Sequence, residues 1–443
     1  MANPPGFRDT RRDAATTATE ETRMTIERQT AAAATGQAPA ARDQALRARA
    51  ARVVPAGMWG HQRAAGLPDG YPQFYASGSG CRVRDVDGRE YVDLMCSWGP
   101  IVLGHRHPAV EAAADRQRAR GDCLTGPGEV MVALAERLVS TLPHADWAMF
   151  QKNGADATTT CVTIARAATG RRKVLVARGS YHGAVPWCTP SLVGVTAEDR
   201  AHVIPYDYND PDSLAAAVTQ AGDDLAAILV TGLRHDIGRD QELPAARFAE
   251  AARSLCARSG AALILDEVRT GFRIDLRGSW EPLGVRPDLC AWSKALANGH
   301  ALAAVTGSDA MRDAAGRIFV TGSFWTSAAS MAAALATLDE LHRIDGPAVM
   351  ARAGRRLRDG LDAQARAHGV RLTQSGPLQM PLVLFDDDPG QKRGELFCRE
   401  ALAHGAWLHP RHNMFLSTAH DDAAIDAVLA ATDAGLHAVA RAR

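Results

Sequence analysis

From Trp147 onward, short apolar runs alternate with longer stretches of helical period. The runs fall at 147–151, 173–177, 202–205, 226–231, 261–265, 288–292, 301–307 and 317–321. Ala-rich helical stretches occupy 154–168, 211–221 and 244–259 between them. A run that is apolar throughout is buried on both faces, as in a parallel sheet covered by helices. The alternation therefore predicts a doubly wound α/β sheet. After about Arg343 the pattern changes. A long helix at 346–368 leads to strands near 370–374 and 379–385, then helices at 391–404 and 422–441, which read as a separate α+β lobe. Upstream, Cys81 to Leu94 alternates around Asp87-Gly88, the signature of a β-hairpin. Helices are expected from His107-Pro108 to Arg120 and from Glu129 to Leu142. Residues 1–52 carry few large apolar residues, so they read as a disordered arm that turns helical near its end, over 40–52. Acids interspersed there argue against a transit peptide.

Composition narrows the class. Lys plus Arg number 50, and so do Asp plus Glu, which points away from nucleic acid and membrane surfaces. No run of 18 apolar residues predicts a membrane span. The eight cysteines are scattered without a Cys-x-x-Cys pair, which suggests a reduced, cytoplasmic protein without a metal ribbon.

The chemistry centres on Ala261-Ala-Leu-Ile-Leu-Asp266 and Trp292-Ser-Lys294. Each apolar run ends in or near one ionisable residue. Strand carboxyl ends are where open α/β sheets bind ligands, so one acid and one amine reach the same edge. A buried Asp and Lys suit an aldehyde cofactor, pyridoxal phosphate: Lys forms the imine and Asp keeps the pyridine nitrogen protonated. Taken singly, Asp266 reads as a helix cap and Lys294 as a surface residue. An Mg²⁺ role for Asp266-Glu267 lacks a further carboxylate cluster. A nicotinamide oxidoreductase needs Gly-x-Gly-x-x-Gly, and Gly78-Ser-Gly80 lacks the third glycine and the helix. Asn153-Gly154-Ala155-Asp156 is a small-residue turn between strand and helix, suited to a phosphate.

Asp266-Glu-Val-Arg-Thr-Gly-Phe-Arg273, with Ser293-Lys294-Ala-Leu296, resembles the class III pyridoxal-phosphate aminotransferases, in particular the branch of glutamate-1-semialdehyde aminomutase. The likeness runs from about Val53 to the end. It implies the fold type I architecture: a large domain with a mostly parallel seven-stranded sheet (106–342) and a smaller α+β domain formed by 53–105 and 343–443. It also implies that Lys294 holds the cofactor and moves the proton, that Asp266 pairs with the ring nitrogen, and that Val268 and Tyr181 pack on the ring with His182 beside them. By the same likeness Gly154 and Ala155 cradle the phosphate through backbone N–H groups. Ser323, with Thr326 as fallback, reaches the phosphate of the partner subunit. Ser97, Trp98, Arg411 and His412 face the substrate.

Three departures limit the transfer. Ala155 stands where a hydroxyl is usual, the 322–328 loop lacks the usual Ser-Gly-Asn-Pro ending, and His412 stands near an acid position of the aminomutase. Met58 to Gln62 also differs from that enzyme. The expected activity is amino transfer between a small amino compound and a keto acid or aldehyde, by a homodimer with shared sites and no metal. An aminomutase or a racemase is the alternative, and an inactive binding protein on this fold is the remote one.

Overall fold

The computed structural model describes residues 41–442. They form two compact units, one of residues up to 77 with 84–90, the other of 78–83 with 91 onward.

In the first unit, helix α1 (Ala41–Val53) takes up the expected helical end of the arm. The rest of that arm, residues 1–40, lies outside the described residues. Asp43 in α1 is buried, and its Oδ1 accepts the backbone N–H groups of Gln73 and Phe74, each at 2.9 Å. Three strands come next along the chain, β1 (Tyr75–Ser79), β2 (Arg82–Asp85) and β3 (Glu90–Asp93), and the turn of the expected hairpin is present: Asp85 N donates to Arg89 O, and Gly88 supplies φ 89.

The second unit is built on seven strands: β4 (Trp147–Gln151), β5 (Lys173–Ala177), β6 (Val203–Tyr206), β7 (Leu225–Thr231), β8 (Ala262–Asp266), β9 (Leu289–Trp292) and β10 (Ala303–Gly307). Their order across the sheet is β4-β10-β9-β8-β7-β5-β6. Strand β10 alone runs opposite to the other six, antiparallel to both β4 and β9. The reason is length: between β9 and β10 there is a single short 3₁₀ turn, too little chain for a parallel crossover. Every residue of β7 to β10 is buried, so those strands read as unbroken apolar runs. Helix Gly154–Thr169 covers one face with Cys161, Ile164 and Ala165 against Leu229, Ile264 and Val305.

The run at 317–321 is not a strand. Helix Asp309–Arg317 extends into it, and Phe319 remains 92% exposed with no strand to join.

The C-terminal part holds helices Gly346–His368, Lys392–Ala403 and Asp422–Arg441, with an antiparallel pair Leu372–Ser375 and Leu382–Phe385. Helix Asp422–Arg441 is long and apolar enough to cross a membrane (mean hydropathy 1.3), against the expectation from run length. Alanines interspersed with charged residues keep it from reading as one run. Its Ile425, Val428, Leu436 and Val439 are buried, and it packs on the other two helices. The segment Ala406–Trp407 pairs in parallel with Val92–Asp93. The chain beyond it then follows the 94–102 segment, with Phe415 N on Leu94 O at 2.7 Å and Thr418 N on Val102 O at 2.8 Å.

Candidate active site

Strand β8 ends at Asp266, with Thr231 of β7 and Ala291 of β9 in register beside it. Strand β9 ends at Trp292, two residues before Lys294. Because β8 and β9 are parallel, both functional residues reach the same carboxyl edge. Asp266 is buried. Its Oδ1 accepts Val268 N at 3.0 Å, and its Oδ2 lies 2.7 Å from His182 Nδ1. His182 is itself buried in the loop after β5. Its carbonyl accepts Thr158 Oγ1 at 2.7 Å, and its ring stacks on Trp187 at 6.5 Å. With Nδ1 on the carboxylate, His182 Nε2 is left without a partner among the described residues. His182 is thus placed to orient Asp266, a contact that its loop position did not disclose.

The turn after Asp266 explains its own sequence. Glu267 points away and is consumed: Ser279 N and Oγ bind its Oε1 at 2.6 and 2.8 Å, and Thr270 Oγ1 binds Oε2. Burial pushes its carboxyl up to about 6. Gly271 is required because a Cβ there would meet the Trp292 ring at 2.6 Å. Arg273 is buried and spends its guanidinium on the carbonyls of Gly99, Ile101 and Leu416. It ties this turn to the two segments that flank the lysine.

Lys294 opens a short 3₁₀ turn with φ 42, in the left-handed region. Asn298 anchors that turn by accepting Val102 N and Leu103 N at 2.9 and 2.8 Å. Gly99 makes room for the lysine, since a Cβ there would meet Lys294 Cδ and the Phe415 ring at 3.1 Å each. Lys294 keeps some accessible surface, yet the protein around it lowers its amine to about 7. Burial is the main cause; Arg269 and Arg273 add to it and Asp266 opposes it.

Gly154 and Ala155 begin helix Gly154–Thr169, so their N–H groups have no partner within it. Asn153 N donates to Asp156 Oδ2 at 2.9 Å, which fixes the turn. The surroundings are tight. A Cβ on Gly154 would lie 2.6 Å from Val268 Cγ1, and one on Gly183 would lie 2.6 Å from Ala155 Cβ. Tyr181 is half exposed between these groups in sequence, with burial raising its hydroxyl.

On the other side, Cys96, Ser97, Trp98 and Gly99 all have positive φ, a run of four left-handed residues. Backbone strain of this kind clusters at functional sites. Ser97 is exposed and Trp98 half-buried. The Trp98 ring meets the His409 and His412 rings edge-on at 5.5 and 5.1 Å. Arg411, expected to face the substrate, instead pairs with Glu395 at 2.7 Å on the surface. The arginine beside His412 is Arg269, whose Nη1 lies 3.1 Å from His412 Nε2 and 2.7 Å from Asn413 Oδ1. Sequence reasoning passed over Arg269 because it sits inside the Asp266 motif. Ser323 is exposed and Thr326 half-buried, and neither hydroxyl makes a hydrogen bond among the described residues.

The sequence signature described as aminotransferase class-III matches residues 68–421. The chain belongs to the class-III aminotransferases. It is 48% identical over 400 residues to an aminopentol aminotransferase of Sphingopyxis macrogoltabida, covering 90% of this chain and 95% of that one. It is 32% identical to a glutamate-1-semialdehyde 2,1-aminomutase of Rhodopirellula baltica, covering 87% and 93%. Among solved structures, the FumI protein of Sphingopyxis sp. MTA144 in its PLP internal aldimine form superposes with a TM-score of 0.89 at 48% identity, over 90% and 97% of the two chains. An omega-transaminase from Sphaerobacter thermophilus gives 0.82 at 26%, over 90% and 98%.

This aminotransferase is a fold type I enzyme that uses pyridoxal phosphate to move an amino group from an amino compound to a carbonyl acceptor. Its residues fit that cofactor. A depressed amine faces a buried carboxylate's strand edge, two helix N–H groups are open, and two glycines leave space that a Cβ would fill. Gly154→Ala is expected to displace Val268 at a cost of roughly 1–3 kcal/mol. That corresponds to cofactor binding weaker by about 5-fold to 150-fold, read by titrating the apoenzyme with pyridoxal phosphate; unchanged affinity would contradict this use of the turn.

Proposed function

We propose that this aminotransferase takes its amino group from an amine on a polyhydroxylated chain, the compound class in the name of its 48% identical relative. The observation that carries the reading is the wall of Trp98, His409 and His412, whose rings lie 5.1 to 6.2 Å apart. Aromatic faces cover a carbon chain, and the exposed Ser97 hydroxyl, next to Trp98 in the chain, can exchange hydrogen bonds with hydroxyls. Comparison of kcat/KM for an amino-polyol and for alanine as donors tests it. A preference of roughly tenfold or more for the polyol is expected, in the range that one or two pocket contacts supply. Equal values would remove the proposal.

When bound, pyridoxal phosphate supplies the aldehyde that condenses with amines and the ring that accepts the electron pair released at the substrate carbon. The chain's residues do the rest. Lys294 would hold the aldehyde and, once an amine displaces it, would take the proton from the amine-bearing carbon and deliver it to the carbon on the far side of the nitrogen. Asp266, oriented by His182 Nδ1 and Val268 N, is the carboxylate for the ring nitrogen. Gly154 and Ala155 offer their N–H groups to the phosphate, while Val268 and Tyr181 bound the ring.

The lysine works as a base only when neutral. With its amine near 7, the single-turnover rate of proton transfer rises with pH up to about 7 and levels above it. A limb near 10 instead would mean that the amine is not held down by its surroundings.

The active form is a homodimer with shared sites, in the cytoplasm. The hydroxyls of Ser323 and Thr326 make no hydrogen bond among the described residues, and Phe319 and Phe324 on the same stretch are 92% and 65% exposed, as an interface requires. None of the eight cysteines forms a disulfide among the described residues, which suits a reducing compartment. Light scattering that reads a monomer would exclude the shared site.

A further inference from the structure

Two arginines lie close to Lys294, and they differ in what they are bound to. Arg273 is saturated by backbone carbonyls. Arg269 is not. Its Nη1 meets two neutral acceptors, His412 Nε2 and Asn413 Oδ1, and no carboxylate pairs with it among the described residues. His412 is neutral in this arrangement: Nδ1 donates to Asn413 O at 2.8 Å, so Nε2 carries the lone pair that Arg269 needs. Its basicity lies well below the usual histidine value, chiefly through burial and then through Arg269. Burial likewise lowers the Arg269 guanidinium to about 10, although part of its surface stays accessible. A largely buried guanidinium with no carboxylate partner among the described residues is a costly arrangement. It is also the arrangement that a planar carboxylate completes, through two parallel N–H bonds.

The surroundings narrow the ligand. Phe415 lies under the Arg269 guanidinium at 6.0 Å, and His235 and Lys294 both feel its charge. The nearby acid, Asp266, is already engaged by His182 and Val268 N. Among the described residues near the reactive amine, Arg269 is therefore the cation not already spent on backbone carbonyls, and the rings around it, His412 and Phe415, are neutral. The phosphate has its own donors at the start of helix Gly154–Thr169.

We propose that Arg269 binds the carboxylate of the amino acceptor, so that the acceptor is a short 2-oxo acid whose keto carbon is brought to Lys294. Arg269 is then a specificity residue for one half of the reaction and is idle in the half that uses an amine without a carboxylate. The guanidinium that discriminates between the two substrates lies three residues beyond Asp266, and Arg411 takes no part.

The two half-reactions test this on the cofactor-loaded enzyme. Pyruvate and propanal serve as acceptors with and without the carboxylate, and an amino alcohol serves as the donor. Arg269→Met is expected to raise the pyruvate concentration for half-maximal rate by roughly 10²–10³-fold. The donor half-reaction and the propanal reaction should stay within about threefold. Arg269→Lys keeps the charge without the fork, so its rise with pyruvate should be about tenfold; it decides the matter should the methionine variant fail to fold. Propionate, an unreactive carboxylate, should give calorimetric binding to wild type that Arg269→Met loses. Arg411→Ala should match wild type throughout. Pyruvate dependence unchanged in both Arg269 variants would overturn the proposal. So would a parallel loss with donor, propanal and pyruvate, which would make Arg269 a brace or a cofactor contact. A pyruvate defect confined to Arg411→Ala would transfer the role to that residue.

Discussion

Lys294→Ala lowers turnover by at least ~10⁴-fold, the upper range for removal of a positioned acid–base group. The argument rests on what Lys294 combines. Its amine is neutral enough at pH 7 to act as a base, and it stands at the carboxyl edge where β8 and β9 end. Alanine removes both the bond to the cofactor and the proton carrier. The variant should fold, because Lys294 makes no hydrogen bond or ion pair among the described residues and the turn is held by Asn298. Steady-state rates with amine and acceptor check the magnitude. Residual turnover within tenfold of wild type would assign the proton transfer elsewhere.

Asp266→Asn is the second large effect, with a loss of roughly 10²–10³-fold, as for removal of one preorganised electrostatic partner in a dry site. Asparagine keeps the shape and can still accept from Val268 N, but it has no charge to hold the ring nitrogen protonated. The same variant loses the acid that His182 Nδ1 contacts at 2.7 Å. The cofactor should remain attached, because Lys294 is intact. Loss of turnover with retained visible absorbance distinguishes this electronic role from one in binding. Full activity would contradict it.

Much of the sheet was legible in the sequence for a physical reason. Strands buried on both faces must be apolar throughout, and β7, β8 and β9 are. Asp266 and Lys294 stood out because each breaks such a run or follows it closely. The run at 317–321 misled, because composition does not reveal whether an apolar pentad has a strand to pair with. The placing of Arg269 beside His412, with Arg411 on Glu395, was equally hidden. It depends on a turn in which Phe272 takes φ 60 and Gly271 lies against Trp292. Outside glycine, and to a lesser degree Asn and Asp, a residue's type does not announce a left-handed conformation, and the strained run Cys96 to Trp98 is the clearest example. Partners distant in sequence, such as His182 with Asp266 and Asn298 with Val102, need the fold before they can be seen.

The most direct test of the central claim is one single-turnover experiment on the cofactor-loaded enzyme. Amine donor is mixed with it in the absence of acceptor, while visible absorbance and released carbonyl compound are followed together. Loss of the visible band with one equivalent of carbonyl released, and recovery of the band on adding a 2-oxo acid, is the predicted result. Loss and spontaneous recovery with no carbonyl released would show an internal amine shift or a racemisation and contradict the assignment as an aminotransferase.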